Sequence, residues 1–471
     1  MNVNRTNIII MKNNLLYSLL MVLLLSVSAC GSRENVAKKD IFLVNKDGKY
    51  GFIDETGDWI VQPRFEFAHG FTKDGLAPVR VDGKWGFIDE KGMWIIPPQF
   101  SDVGDSFDGS MIPVQFDDGK YGYVDARKGK VTISPQFDLA FGFEFGYGSV
   151  EVNGKVGIIN ESGEMVVKPQ FDNVFIHPKT GFAIIKVNDK WGVIDKSGEI
   201  IIEPQFDNIS LCHGCWVESG VFAVSKDGKW GVVDKEGKII VKPQYDMVGF
   251  DLYQDKENHP FPKIGLAVVS LDGKYGYVDK KGNLAIDLQF EYATAFYENG
   301  LAAAKSNGKW GYINKKGEWI VQPQFEAIEY YNFNGLTAVK INGKWGYINE
   351  KGKMVIQPQF DSFGCHFDEQ GIASVNLDGK SVYIDRRGTI IGQPFDIANG
   401  FNKNGMAKVE LNGKWGVVDT KGDFLVNPIF DDIITYKNVF FVREKEKYGD
   451  KWGILDKKGN YIVTPQFDDL Y

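Results

Sequence analysis

From Ile41 onward, hydrophobic and polar positions alternate in short runs, and the whole pattern recurs about every 35 residues. In one such unit Leu336 to Ile341 alternates as a half-buried strand does, Asn342-Gly343 is a strong two-residue hairpin signal, and Lys344 to Ile348 returns as a second strand. Asn349-Glu350-Lys351-Gly352 then places Asn first and Gly fourth, as a tight turn prefers, and Met354 to Gln357 forms a third strand. Pro358 ends it, because proline cannot donate into a central ladder. The pattern predicts three short antiparallel strands per unit, with no helical period anywhere in the array.

The motif at the heart of each unit is Lys-Trp-Gly-hydrophobic-Ile-Asp or a close variant. It is centred on Gly51, Gly86, Gly122, Gly157, Gly192, Gly231, Gly276, Gly311, Gly346, Val382, Gly416 and Gly453. Spacings run from 34 to 37 residues, apart from 39 after Gly192 and 45 after Gly231. Each unit also carries a trailing segment typified by Val321-Gln322-Pro323-Gln324-Phe325. These residues resemble the WG (KWG) repeat family of bacterial proteins, and the resemblance covers 41–471. It implies a β-rich repeat array with no shared activity: a scaffold rather than a reaction.

Three strands in about 35 residues is short for a propeller blade, which usually has four strands. The array opens with a complete strand near Phe42 and closes at Pro465-Gln466-Phe467, with no spare strand in view to complete the first unit. The expectation is an all-β tandem array of about twelve three-stranded antiparallel units, an open β-solenoid or superhelix rather than a closed propeller or toroid. Val382, where the other units have glycine, marks the tenth unit as a point of bending.

Most motif residues that look chemical have a structural reading. Trp or Tyr precedes the central residue in ten units, and burial of so many large rings would supply much of the core. Trp59, Trp94 and Trp319, eight residues after their central glycines, share a position with Met165, Ile200 and Leu284 and are read as core too. The central glycine leaves room for another backbone or a ring to approach. Asp or Asn three places after the centre is turn-forming rather than a calcium ligand, since Asn substitutes for it and Gly follows at turn spacing. Lysine precedes the aromatic position in all twelve units. It is read as a solvated position beside the hairpin, with a basic row facing an anionic surface as the alternative.

The residues ahead of the array change the picture of where the chain resides. Arg5 and Lys12 precede an apolar run from Leu15 to Val27, too short to span a bilayer, that ends in Val27-Ser28-Ala29-Cys30. The order of charge, apolar run, small residues and cysteine reads as a bacterial lipoprotein signal over 1–29. Cys30 is then the lipidated first residue of the mature chain, 30–40 a short tether and 41–471 the array. The expected location is the cell envelope, at the outer membrane or the cell surface, with the lipid on Cys30 as the membrane contact.

Composition narrows the function classes. The chain of 471 residues is 43% hydrophobic and 25% charged, enough for a large core. A net charge of −8 removes the case for nucleic-acid binding by phosphate neutralisation. Five His and four Cys leave little for metal or redox chemistry, and no nucleophile-elbow, phosphate-loop or zinc-protease motif is present. No catalytic residue, metal site or cofactor is assigned.

Departures from the repeat carry the remaining signal. The two long spacings place inserted loops at 210–220 and 250–264, which neighbouring units would bring together. Trp216, the one Trp outside the two repeated Trp positions, His213, Tyr253, His259 and Phe261 are the candidate partner-binding residues. Cys212 and Cys215 are a candidate disulfide in an exported chain, with a metal site as the lesser alternative. Cys365 is left as a free thiol. The expected function is a non-enzymatic binding scaffold for a protein or glycan partner; the alternative is an envelope enzyme or a metal or redox site assembled in the two loops.

Overall fold

The computed structural model describes residues 40–104, 110–177, 182–210, 221–249, 265–297, 299–329, 335–437 and 439–470. Among them, the predicted hairpins form in every unit, and so does a third strand, but it is not ended by its proline: it runs Met354–Phe360 through Pro358, on a strand that bulges and has no further strand of its sheet beyond it. The first unit runs β1 (Ile41–Lys46), β2 (Lys49–Asp54) and β3 (Trp59–Phe65), and the second holds β5 (Leu76–Val81), β6 (Lys84–Asp89) and β7 (Trp94–Phe100). Asn342 and Gly343 have φ of 49° and 77°, the two left-handed conformations that a two-residue hairpin loop needs. Asp89 Oδ1 accepts from the amides of Lys91 and Met93 at 2.9 and 2.8 Å, which is the turn chemistry expected of that position.

Each sheet has four strands, not three. The fourth is a short strand that sits one residue beyond the third strand of the preceding unit. Glu66 alone separates β3 from β4 (Phe67–Ala68), and β4 pairs with β5 in the next sheet, Phe67 opposite Arg80 and Ala68 opposite Val79. Most of these strands pair over only two residues, too few for an alternating pattern to register in the sequence.

The same short strand closes the array. With strands numbered onward to β48 (Asp469–Leu470), the first sheet has the order β3-β2-β1-β48. Val44 lies opposite Leu470 and Asn45 opposite Asp469. The open solenoid is therefore corrected to a closed, propeller-like ring of twelve four-stranded sheets: the strand missing from the first unit is supplied by the last residues of the chain. The core agrees, since each of its twelve clusters joins two consecutive sheets. One of them packs Phe42, Val44, Ile53 and Leu470 of the first sheet against Trp452 and Phe467 of the last.

The central glycine has a steric cause. A Cβ on Gly86 would lie 2.7 Å from both the Ile96 carbonyl oxygen and the Pro98 nitrogen, because the third strand bulges over it. In the tenth sheet, where Val382 stands at this place, the third strand is one residue shorter and carries Gly392 at φ 70°. One of the two register shifts seen in other sheets is absent there. A glycine on the facing strand stands in for the central one, and that sheet keeps its four-strand order.

Two burial expectations are also corrected. The position eight residues past the centre is a half-exposed rim rather than core: Trp94 is 37% exposed and Ile200 43%. The motif tryptophans sit at the edge of the core. Trp85, Trp310 and Trp452 are buried, whereas Trp191, Trp230, Trp345 and Trp415 are partly exposed. Cations from the adjoining strand lie against several of these rings, with Lys408 Nζ 4.0 Å from the Trp415 centroid.

Candidate functional site

The repeated lysine belongs to the scaffold. Asp172 is the single residue between the third strand of sheet 4 and the short strand of sheet 5. Its Oδ1 pairs with Lys155 of sheet 4 at 2.6 Å, and its Oδ2 accepts from the Asn188 amide in the hairpin turn of sheet 5 at 2.8 Å. One carboxylate thus fastens two sheets. Ten of the twelve motif lysines form such ion pairs. Ser101 is the one junction residue that is not an acid. There the hairpin residue Asp117 takes over, pairing with Lys84 and accepting from the Ser101 hydroxyl at 2.7 Å. A basic row free to meet an anionic surface is therefore not what these lysines form.

Against this uniform background one column of residues breaks pattern. Tyr follows the central residue in five units: Tyr123, Tyr277, Tyr312, Tyr347 and Tyr383. Three of them donate to the main-chain carbonyl of the third residue past the next junction. Tyr123 reaches Phe141 at 2.8 Å, Tyr277 reaches Thr294 at 2.7 Å and Tyr383 reaches Asn399 at 2.6 Å. Tyr312 and Tyr347 are just as buried, yet neither hydroxyl has a hydrogen-bond partner among the described residues.

The residue at the acceptor position for Tyr312 is Glu329, the single acid at that column in the twelve units. Burial pushes both phenols well above the usual tyrosine range. Thr337 beside Tyr312 offsets part of its rise without completing a hydrogen bond of normal geometry; Cys365 beside Tyr347 adds to the other, and the Glu329 carboxylate adds to both. His366 Nε2 lies 3.6 Å from Glu329 Oε1, and partial burial holds that imidazole below its ordinary value. Cys365 is a free, half-buried thiol whose sulfur accepts from the Ser374 amide and hydroxyl, each at 3.2 Å.

Tyr312, Glu329 and Thr337, with Tyr297 and Asn349, line a cavity of about 20 Å³ between sheets 8 and 9. A groove of about 600 Å³ adjoins it, sharing Asn299, Leu301 and Glu350 and edged by Lys315, Lys316, Lys351 and Ile320. This is the arrangement in which polar groups converge beneath an accessible surface. It pairs a buried donor and a carboxylate with three ammonium groups at the groove edge, polar groups of both signs within reach of one ligand. No group of three His, Cys, Asp or Glu able to hold a metal ion occurs among the described residues.

The sequence-derived candidates lie elsewhere. Trp216, His213, Tyr253, His259, Phe261, Cys212 and Cys215, and the lipidation residue Cys30, all fall outside the described residues. Tyr312, Tyr347 and Glu329 were not among the sequence candidates. The signal for Glu329 was present as a lone acid in one column of the repeat, three residues past the junction acid Glu326 and away from the conspicuous motif.

Comparison with known proteins gives a family and little else. A family described as WG containing repeat matches residues 50–85, 85–121, 121–155, 157–191, 191–230, 230–253, 275–310, 310–345, 345–380, 383–415, 415–448 and 452–471. No curated protein matches the chain. Among solved structures, a eukaryotic initiation factor is 11% identical, with 76% of this chain and 97% of that chain covered at a TM-score of 0.33. BamB from Moraxella catarrhalis is 11% identical over 74% and 94% at 0.23. The computationally designed Ika8 protein is 12% identical over 62% and 95% at 0.24. At these TM-scores the likenesses carry no argument about this chain.

Proposed function

The chain belongs to the WG containing repeat family, and from that premise we propose that it is a cell-envelope lipoprotein whose β ring is a non-enzymatic scaffold for a protein or glycan partner. One observation supports this reading above the others. The repeated polar residues are occupied in holding the ring together, the lysines in ion pairs between sheets and the Asx residues in turns. Chemistry directed outward is left to residues that differ between units, and a surface that varies from unit to unit over a uniform frame is suited to binding. The Cys30 sequence supplies the anchor in this proposal, with the outer membrane or the cell surface as the site.

Two experiments test it. Labelled palmitate fed to cells should enter the wild-type chain and not Cys30→Ser, and only the wild type should sediment with membranes. Affinity capture from envelope fractions should retain a partner on the wild-type ring, and removal of the loops at 210–220 and 250–264 should weaken that capture if those loops take part. An unlabelled, soluble wild-type chain contradicts the anchor; no retained partner, protein or glycan, contradicts the scaffold.

A further inference from the structure

The groove between sheets 8 and 9 carries charge that is not used to fasten the sheets. Lys315, Lys316 and Lys351 at its edge form no ion pair among the described residues, in contrast to the motif lysines that fasten the sheets. Beneath them the Tyr312 hydroxyl is buried, 6% exposed as a residue, and unpartnered. A buried donor left unmade is costly, of the order of 1–3 kcal/mol, and Tyr123, Tyr277 and Tyr383 in the same column avoid that cost through a main-chain carbonyl. An unpaired donor facing a cavity therefore calls for an occupant.

The cavity sets the size of that occupant. About 20 Å³ admits one water or one hydroxyl and nothing larger. A hydroxyl there can accept from Tyr312 and donate to Glu329, whereas a carboxylate would face Glu329 as a like charge. Three lysines against one carboxylate, Glu350, leave the groove net positive and call for negative charge on the part of the ligand that stays in it, and a groove of about 600 Å³ is large enough for a sugar ring. We propose that this groove binds an acidic saccharide, with one hydroxyl seated between Tyr312 and Glu329 and a carboxylate held by Lys315, Lys316 and Lys351. The proposal rests on the scaffold reading above and gives it a ligand class.

Saturation-transfer NMR and calorimetry on the full-length protein in mild detergent test it, with glucuronate and galacturonate as probes and glucose as the uncharged control. The wild type should bind at least one uronate, and glucose at least tenfold more weakly. Tyr312→Phe should lose at least tenfold in affinity while its thermal midpoint stays level or rises, because the change deletes an unpaired buried hydroxyl. Lys315→Ala with Lys316→Ala should erase the preference for uronate over glucose. Absence of uronate binding, or binding that Tyr312→Phe leaves unchanged, overturns the proposal. If a partner is still captured from envelope fractions in either case, the groove assignment fails and the scaffold reading stands; if neither occurs, both fail.

Discussion

Asp468 holds its Oδ2 3.4 Å from the amide nitrogen of Gly48, 420 residues away along the chain. Its Oδ1 pairs with Lys451. Last sheet, junction carboxylate and first hairpin thus repeat the arrangement of Lys155, Asp172 and Asn188 inside the ring. The closure is chemically one more acid junction, without a covalent connection from its short strand to the hairpin it joins. The main chain adds to it, with the Asp468 amide donating to the Asn45 carbonyl at 2.7 Å.

Stability should fall in acid because the junction carboxylates titrate low in the folded ring. Lysine ion pairing, then donation from the hairpin amides, holds Asp172, Asp207, Asp246 and Asp396 below the usual aspartate value. A depressed folded pKa contributes stability above the unfolded value, near 4, and that contribution is lost as pH falls through the folded value. The urea midpoint should therefore be level from about pH 5 to 8 and drop below about pH 4. Asp172→Asn should lower the midpoint at pH 7 and reduce its dependence on acid. These pairs are exposed, so 1 M salt should weaken the same effect.

Removing a tyrosine hydroxyl should have opposite consequences in adjacent parts of one column. Tyr383→Phe deletes a 2.6 Å bond to the Asn399 carbonyl from a fully buried ring and should cost about 1 kcal/mol in urea unfolding. Tyr312→Phe deletes a hydroxyl that bonds to nothing described and should be neutral or stabilising. Equal losses at both positions would mean that Tyr312 has a partner.

Gly86→Ala should destabilise the ring by about 1–3 kcal/mol, since the added Cβ meets main-chain atoms of the third strand rather than a movable side chain. Gly48→Ala is the comparison. Nothing lies within 4 Å of that Cβ, so what it loses comes from its φ of 73° alone. Chemical denaturation of the two variants separates crowding from backbone strain.

The sequence made the repeat, its hairpins and its Asx turns legible because each depends on a local rule: alternation for Leu336 to Ile341, left-handed turn residues at Asn342-Gly343, side-chain acceptors at Asn349. Two-residue strands such as Phe67-Ala68 obey no pattern that short, and so the closure through Asp469-Leu470 was hidden with them. The Lys155 and Asp172 pair was visible as a recurring offset of 17 residues, but only the ring explains why the offset recurs. Trp94 was misjudged because its column is apolar in every unit named with it, and an apolar column on a sheet edge reads the same as one in the core. Glu329 could have been found by asking which column of the repeat holds a single acid.

Closure is the central claim, and a cross-link between its two strands tests it most directly. Asn45 and Asp469 are paired residues of β1 and β48, and paired Cα atoms in an antiparallel ladder lie within disulfide reach. With all four native cysteines replaced by serine, Asn45→Cys combined with Asp469→Cys should oxidise to one intramolecular disulfide at low protein concentration, read as a mobility shift and a loss of two hydrogen atoms in the mass. A chain that stays reduced under the same oxidant, or links only between molecules, would mean that the array is open.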